Sequence, residues 1–301
     1  MKVSVFGASG FVGRNMINAL INENCEIVAS DIKEDVIDDV QVHPANILEY
    51  NQVERIVQDS DYIIHLAASS LPYSLKNPTI NAQINIVGTL NIMDAAKEYG
   101  IKKMIFSSAS SIVGDVNKSP VDEAHPCSPK TPYGVSKYAI ENYLRVYNDI
   151  FNLNYIVFRF FNIYGPWQLP DSGALIPMIY NKLKNTGTFD ILGDGTQVRD
   201  YVYVGDIADF IIKGIKSENV NNEIFNMGTG TGTTIKRVIE TAADILNISP
   251  KINYLPPRPG EIGNFVADTT KMRRLFGSAP GTNLKTGLSQ TYKWLDSYYD
   301  S

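Results

Sequence analysis

Residues 2–20 read KVSVFGASGFVGRNMINAL, and this stretch decides how the rest of the chain is read. A short apolar strand runs into Gly7, and a helix with apolar periodicity opens after Gly10. Gly7, Gly10 and Gly13 punctuate the turn. Glycine lets such a turn be tight and lets the backbone approach a pyrophosphate closely. The helix N-terminus then offers amide donors and the positive end of its dipole to the phosphates. A glycine turn also serves plain strand–helix packing, so the flanks matter. Here EIVASD follows as a second strand and ends at Asp31. A carboxylate at that place accepts hydrogen bonds from an adenosine ribose and repels a 2′-phosphate, which favours NAD over NADP. Lys33 is the one nearby cation that opposes this preference.

The same reading extends along the chain. DYIIHLAAS (61–69), KKMIFSSAS (102–110) and NYIVFRFFN (154–162) are further strands. IVGTLNIMDAAKEYG (86–100) and YGVSKYAIENYLRVYNDIF (133–151) are amphipathic helices between them. Strands alternating with helices predict an α/β fold with a doubly wound parallel sheet, the Rossmann architecture. After NIYGPWQLPDSG (162–173) the pattern turns irregular and richer in Pro and Gly. VRDYVYVGDIADFIIKGI (198–215) reads as a return to the first region. Residues 1–165 with about 197–226 are therefore expected to form the NAD-binding domain, and about 166–196 with 227–301 a smaller, interlocked C-terminal α/β substrate domain. NMGTGTGTT (226–234) lacks the Gly-Lys-Ser/Thr end of a phosphate-binding loop and is read as a structural strand-to-helix turn.

Composition narrows the function. The chain carries a net charge of −5, against the clustered Lys and Arg of a nucleic-acid footprint. Two cysteines, Cys25 and Cys127, are too few for a disulfide framework, and three histidines show no metal-ligand spacing. No metal is expected. There is no signal peptide and no apolar run of membrane-spanning length, so the expectation is a cytoplasmic protein without a membrane partner.

Tyr133 and Lys137 lie four apart at the start of a helix and so share a face. A phenol is a poor base at neutral pH. An adjacent ammonium and a positive nicotinamide ring would stabilise its anion, so that Tyr133 takes a proton from an alcohol. The spacing alone is weak, since Tyr99/Lys103 and Tyr180/Lys184 repeat it. Only Tyr133/Lys137 follows a Ser-rich strand end and a Pro-flanked helix start. The other two are read as solvated helix pairs.

With Gly7, Gly10, Gly13, Asp31, HLAA (65–68), NIVGTLN (85–91), the Ser107–Gly114 stretch and PYGVSKYAIE (132–141) in this order, the chain resembles the extended short-chain dehydrogenase/reductase family. It is most similar to the nucleotide-sugar epimerase/dehydratase branch. The resemblance continues through FRFFNIYGPWQ (158–168), VRDYVYVGDIA (198–208) and PPRPGEIGNFVADTTK (256–271). It implies NAD as cofactor, a UDP-sugar as substrate and a homodimer formed through a four-helix bundle that includes the Tyr133 helix. The activity it implies is 4-epimerisation, glucose against galactose, through a transient 4-keto sugar. Another epimerase or a 4-keto sugar reductase of the branch stays open as an alternative, as does a non-catalytic binder.

Carried over by position, Tyr133 is the base and Lys137 its partner. Cofactor contacts fall on Gly7, Gly10, Phe11, Val12, Gly13, Asp31, Asn46, Ile47, Leu66, Ala67, Ala68, Asn85, Ser107, Ser108, Tyr133, Lys137 and Phe160. Asn46 stands where the family more often has Asp. Substrate contacts fall on Ser110, Ser111, Asn162, Leu175, Phe189, Ile191, Arg199, Arg258, Glu261 and Phe265. The two arginines suit a diphosphate, whose oxygens their forks bind bidentately. Phe265 falls beside the sugar C2 substituent, and its bulk suggests glucose or galactose over N-acetyl forms.

One position departs from the pattern. Counting from Phe106 and back from Gly114 both place Ala109 where the family has the Ser or Thr that bonds the reacting hydroxyl. Val113 stands where Tyr is common. Ser110 or Ser108 is expected to take over the role, or Tyr133 acts alone. Ser110 and Ser111 also occupy the place where the branch's 4,6-dehydratases carry an Asp-Glu pair and its UDP-glucuronate decarboxylases a Glu. Without a carboxylate there, elimination lacks a general acid or base.

Overall fold

The computed structural model describes residues 1–257 and 263–300. They form two compact units: Met1–Asp115, Glu123–Phe160 and Ala208–Asn226, and Val116–Asp122, Phe161–Ile207 and the described residues from Met227 onward.

The first unit carries the large sheet. Its strands are β1 (Lys2–Phe6), β2 (Glu26–Asp31), β3 (Asp35–Ile37), β4 (Val40–Pro44), β5 (Tyr62–His65), β6 (Lys103–Ala109) and β7 (Tyr155–Phe160), joined by a late strand, Glu223–Met227. The order is Glu223–Met227, β7, β6, β5, β1, β2, β4, β3. From β1 to β7 the pairings are parallel, apart from β3 with β4. The chain winds outward from β1 through β2 to β4, then restarts at β5 on the other side of β1. That reversal opens a crevice at the strand carboxyl ends, where ligands of doubly wound sheets bind. Phe6, Ile63, Phe106 and Val157 from the strands pack with Val53, Ile92, Met93, Ile140 and Leu144 from the helices. A sheet covered on both faces explains the near-continuous apolar strands of the sequence. The β3–β4 hairpin was not legible beforehand. Its two-residue turn, Asp38 and Asp39, has positive φ at both positions (44° and 67°), a conformation usually signalled by Asn-Gly.

The second unit centres on the strand Val198–Tyr203. It pairs in parallel with Asn162–Tyr164 and with Asn264–Phe265, and antiparallel with Gly232–Thr234. A separate parallel pair joins Thr188–Leu192 to Lys251–Leu255. Ile179, Leu183, Phe189, Val238, Leu288 and Leu295 form its core. This division differs from the sequence reading in three places. Residues 161–165 and 197–207 belong to the second unit, because their strands are hydrogen-bonded there. Residues 116–122 join it too, through Val121 N–H to Val266 O (2.8 Å) and Asp268 N–H to Val121 O (2.7 Å). Apolar alternation marks a strand but does not say which sheet receives it.

Candidate active site

At the switch point of the first unit lies a groove of about 380 Å³. Gly7, Gly10, Asp31, Asn46, Ile47, Leu66, Ala67 and Ala68 line it, as the sequence led us to expect. Ser30, Ile32, Ser69 and Ile84 line it as well and had no sequence signal beyond proximity to the motifs. The glycines act differently. Gly7 has φ +85°, and a Cβ there would lie 2.5 Å from Ala67 N. A Cβ on Gly13 would lie 2.1 Å from Gly7 O, so the helix can seat on the turn only without one. Gly10 meets nothing closer than 3.3 Å and stays exposed; its bare backbone faces outward. It also caps the helix Phe11–Asn22 without a side-chain bond, which leaves the N–H groups of Phe11, Val12 and Gly13 outside the intrahelical ladder. The side chains of Phe11, Val12 and Phe160 are not in the groove lining.

The carboxylate of Asp31 accepts from Ser9 N–H (3.0 Å) and Ile32 N–H (2.7 Å), which fixes it at the groove. Ile47 is held by Asn91, which donates to its carbonyl (2.9 Å), and its side chain fits where Gly88 has no Cβ. Asn85 is not a groove residue. Its amide accepts from Ser69 N–H (2.7 Å) and donates to Ser69 O and Ser136 Oγ, so it ties the groove loop to the Tyr133 helix. The groove fits a dinucleotide on its own chemistry. The buried hydroxyl of Ser69 in its lining has no partner among the described residues, and Gly10 leaves open at the helix start the space that a Cβ would fill.

Tyr133 and Lys137 begin the helix Pro132–Phe151. Pro132 sits in its first turn, and Thr131 caps it by accepting from Gly134 N–H at 3.1 Å. Ser136 Oγ donates to Tyr133 O (2.8 Å), and Lys137 Nζ donates to Ser107 O (2.7 Å). The ammonium stands 4.7 Å from the Phe106 ring centroid and 5.7 Å from that of Tyr133. Burial pushes the Tyr133 phenol up to about 12, opposite to the expected direction. Burial also pulls the Lys137 ammonium down to about 7, with Glu141 opposing. Desolvation is the leading cause for both groups, so an activated phenolate needs positive charge beside it.

The other Tyr-x-x-x-Lys pairs are not both solvated helix pairs. Lys103 lies buried on β6, and its Nζ donates to Gly214 O, Ser217 O and Val220 O. Tyr180 is buried, and its hydroxyl, like exposed Lys184, bonds Asp296.

The serine stretch divides by strand alternation. Ser107 Oγ donates to His65 O (3.0 Å). Ser108 is buried and donates to Glu141 Oε1 at 2.6 Å. Glu141 is also paired with Arg159 (2.7 Å), so Ser108 is held by a buried ion pair and does not compensate for Ala109. Ser110 and Ser111 follow on a short 3-10 turn, partly buried, and the Ser111 hydroxyl has no partner among the described residues. Ser110→Ala is therefore expected to lower the turnover number by about 10²–10³. Ser108→Ala is expected to leave it nearly unchanged while costing about 1–3 kcal/mol of stability. Steady-state kinetics beside denaturant melts check both.

The second unit holds its own pocket, of about 400 Å³, lined by Asn162, Leu175, Phe189, Ile191 and Arg199 as read from the sequence, and also by Gln168, Met178, Tyr201 and Ile235. Asn162 Nδ2 donates to Asp200 O (3.1 Å). The glycine cluster 228–232 is a nest for the chain's own Asp200. That carboxylate accepts from Thr229 N–H, Thr229 Oγ1, Gly230 N–H and Ala267 N–H, which supports the structural reading of this turn. Phe265 is not in the pocket lining; its ring lies 4.9 Å from that of Phe161. Arg258 and Glu261 lie outside the described residues.

Comparison with known proteins identifies the family and the fold. The model of the NAD dependent epimerase/dehydratase family matches residues 3–228. A putative UDP-glucose 4-epimerase of Methanocaldococcus jannaschii is 33% identical over 303 residues, covering 97% of this chain and 98% of that protein. The crystal structure of the Thermotoga maritima UDP-glucose 4-epimerase with UDP-glucose superposes with a TM-score of 0.91 at 31% identity, over 99% of this chain and 100% of that one. The UDP-N-acetylglucosamine 4-epimerase of Methanobrevibacter ruminantium, in complex with UDP-N-acetylmuramic acid, gives 0.92 at 31%, over 99% and 98%.

Proposed function

This chain belongs to the NAD dependent epimerase/dehydratase family, and on that premise we propose that it is a UDP-sugar 4-epimerase interconverting UDP-glucose and UDP-galactose. The observation that carries the reading is the half-buried Tyr133 beside the buried Lys137, in a first unit whose strand end at Ser107–Ser111 offers hydroxyls and no carboxylate. That set can move one proton on and off an alcohol; it has no acid for elimination. Bound NAD supplies a positively charged ring and a reversible two-electron acceptor. Gly7, Gly10 and Gly13 would hold its pyrophosphate, Asp31 its adenosine ribose, and Asn46 and Ile47 would flank the adenine. Tyr133 takes the proton of the C4 hydroxyl and returns it after the sugar has turned over. Lys137, fixed by Ser107 O, orients the nicotinamide ribose and offsets the phenolate charge. The second unit's pocket takes the nucleotide, with Arg199 supplying a cation for the diphosphate.

The test is proton NMR of the anomeric region after mixing purified protein with UDP-galactose, with no cofactor added. UDP-glucose appearing up to a constant ratio supports the reading. Stoichiometric consumption of added NADH by a 4-keto sugar would replace it with a reductase. The active pair carries one proton fewer than the resting pair, and the two groups titrate as a unit. Lys137 titrates near 7, so turnover is expected to rise as pH passes upward through about 7. Lys137→Met removes that inflection and leaves only the high Tyr133 value, so activity stays low across neutral pH.

A homodimer is part of the proposal. The helix Pro132–Phe151 leaves Val135, Tyr143, Val146, Ile150 and Phe151 exposed, and an apolar helix face of this kind suits a second copy. Sedimentation equilibrium measures it.

A further inference from the structure

In the second unit, Gln168 carries a polar atom that the chemistry above does not use. The residue is 8% exposed and lines the pocket with Arg199. Its Nε2 donates to Ile163 O at 3.0 Å. A carbonyl can only accept, so this bond fixes which end of the carboxamide is which, and Oε1 is the end left over. No group among the described residues reaches Oε1. Buried acceptors are normally paired, and one left open in a pocket lining calls for a donor from outside the protein.

The backbone before it is shaped for this placement. Trp167 has φ +69°, a region bulky side chains rarely enter, and strain of this kind persists only where surrounding packing holds it. The Trp167 ring packs on Trp294, with centroids 5.2 Å apart, and the Gln168 N–H donates to Gly165 O, closing the turn. The tight turn thus places the Gln168 carboxamide, with its unpartnered and buried Oε1, in the lining of a pocket with apolar walls at Leu175, Phe189 and Ile191 and a guanidinium at Arg199. A ligand that matches all three carries an anionic group, an apolar face and a neutral N–H or O–H donor.

We propose that Gln168 Oε1 receives a hydrogen bond from a donor on the nucleotide sugar held in this pocket, which makes Gln168 a specificity-determining residue. The inference rests on the reading that this pocket takes the nucleotide. The donor is an N–H or O–H of the nucleoside, or a hydroxyl of the hexose.

Isothermal titration of the NAD-loaded enzyme with UDP and with UDP-glucose tests it, comparing wild type with Gln168→Leu. Gln168→Met, closer in length, serves if Leu disturbs folding. Loss of one neutral hydrogen bond should weaken binding about 3- to 10-fold, with KM rising by a similar factor and kcat changing less. Equal weakening for both ligands supports the proposal and places the donor on the nucleoside. Weakening for UDP-glucose alone supports it and places the donor on the hexose. Affinities within about twofold of wild type for both ligands overturn the proposal while leaving the nucleotide reading intact. A wild-type enzyme that binds neither ligand overturns the nucleotide reading, and the proposal with it.

Discussion

Tyr133→Phe is expected to lower turnover of UDP-galactose by about 10²–10⁴, the range over which a positioned acid–base group contributes. The substitution removes one hydroxyl and keeps the ring. The helix start depends on Thr131, Pro132 and the main chain of residue 133, none of which changes. NAD content and melting temperature should therefore match wild type, and the loss should lie in kcat. Anomeric NMR with the cofactor assayed in the denatured extract reads all of this. A variant retaining most of its activity would remove Tyr133 as the base and point to a binder or to a different proton acceptor. Lys137 is poorly placed to replace it, since its ammonium is tied to Ser107 O.

Arg159→Leu should destabilise the first unit by about 3–5 kcal/mol, because it strands the buried Glu141 carboxylate. The two side chains are 4% and 2% exposed, and the guanidinium meets the carboxylate through Nε and Nη2. Total stabilities are about 5–15 kcal/mol, so this is a large share. Replacing both partners, Glu141→Leu with Arg159→Leu, should recover much of the loss, since no unpaired charge then remains. Urea titrations of the two single variants and the double variant form the cycle. Additive losses would show that packing rather than the ion pair dominates the site. The pair also bears on catalysis. Glu141 lies one turn beyond Lys137 and raises its proton affinity against burial, so Glu141→Gln should shift the lower inflection of the pH profile downward.

What could be read in advance followed from local sterics. Gly13 must lack a side chain because of Gly7 O, six residues away, and a helix begins at Pro132 because Thr131 caps it one residue earlier. Such constraints close within a few residues, so the glycine turn, Asp31 and the Tyr133–Lys137 helix were visible in the string of letters, and with them the doubly wound sheet. Asn46 and Ile47 were placed only by the family resemblance; they lie just after β4, and both line the groove.

The residues misread were those whose partners are distant in sequence. Ser108 and Ser110 look equivalent as letters; Glu141, 33 residues on, binds one of them and leaves the other. Asn85 is bound to Ser69 and Ser136 instead of facing the groove. Lys103 sits in a helix-like spacing with Tyr99 yet closes off carbonyls more than a hundred residues away. Gln168 ends the matched stretch FRFFNIYGPWQ but was assigned no role, because an unpartnered acceptor exists only once Ile163 has taken its amide and the turn at Trp167 has formed. The sequence by itself determined the main alternation of strands and helices, the cofactor turn and the placing of Tyr133 and Lys137 on one helix. Tertiary structure decided which polar groups are already bonded, and therefore which remain open to a ligand, because burial and pairing are properties of segments that meet only in the fold.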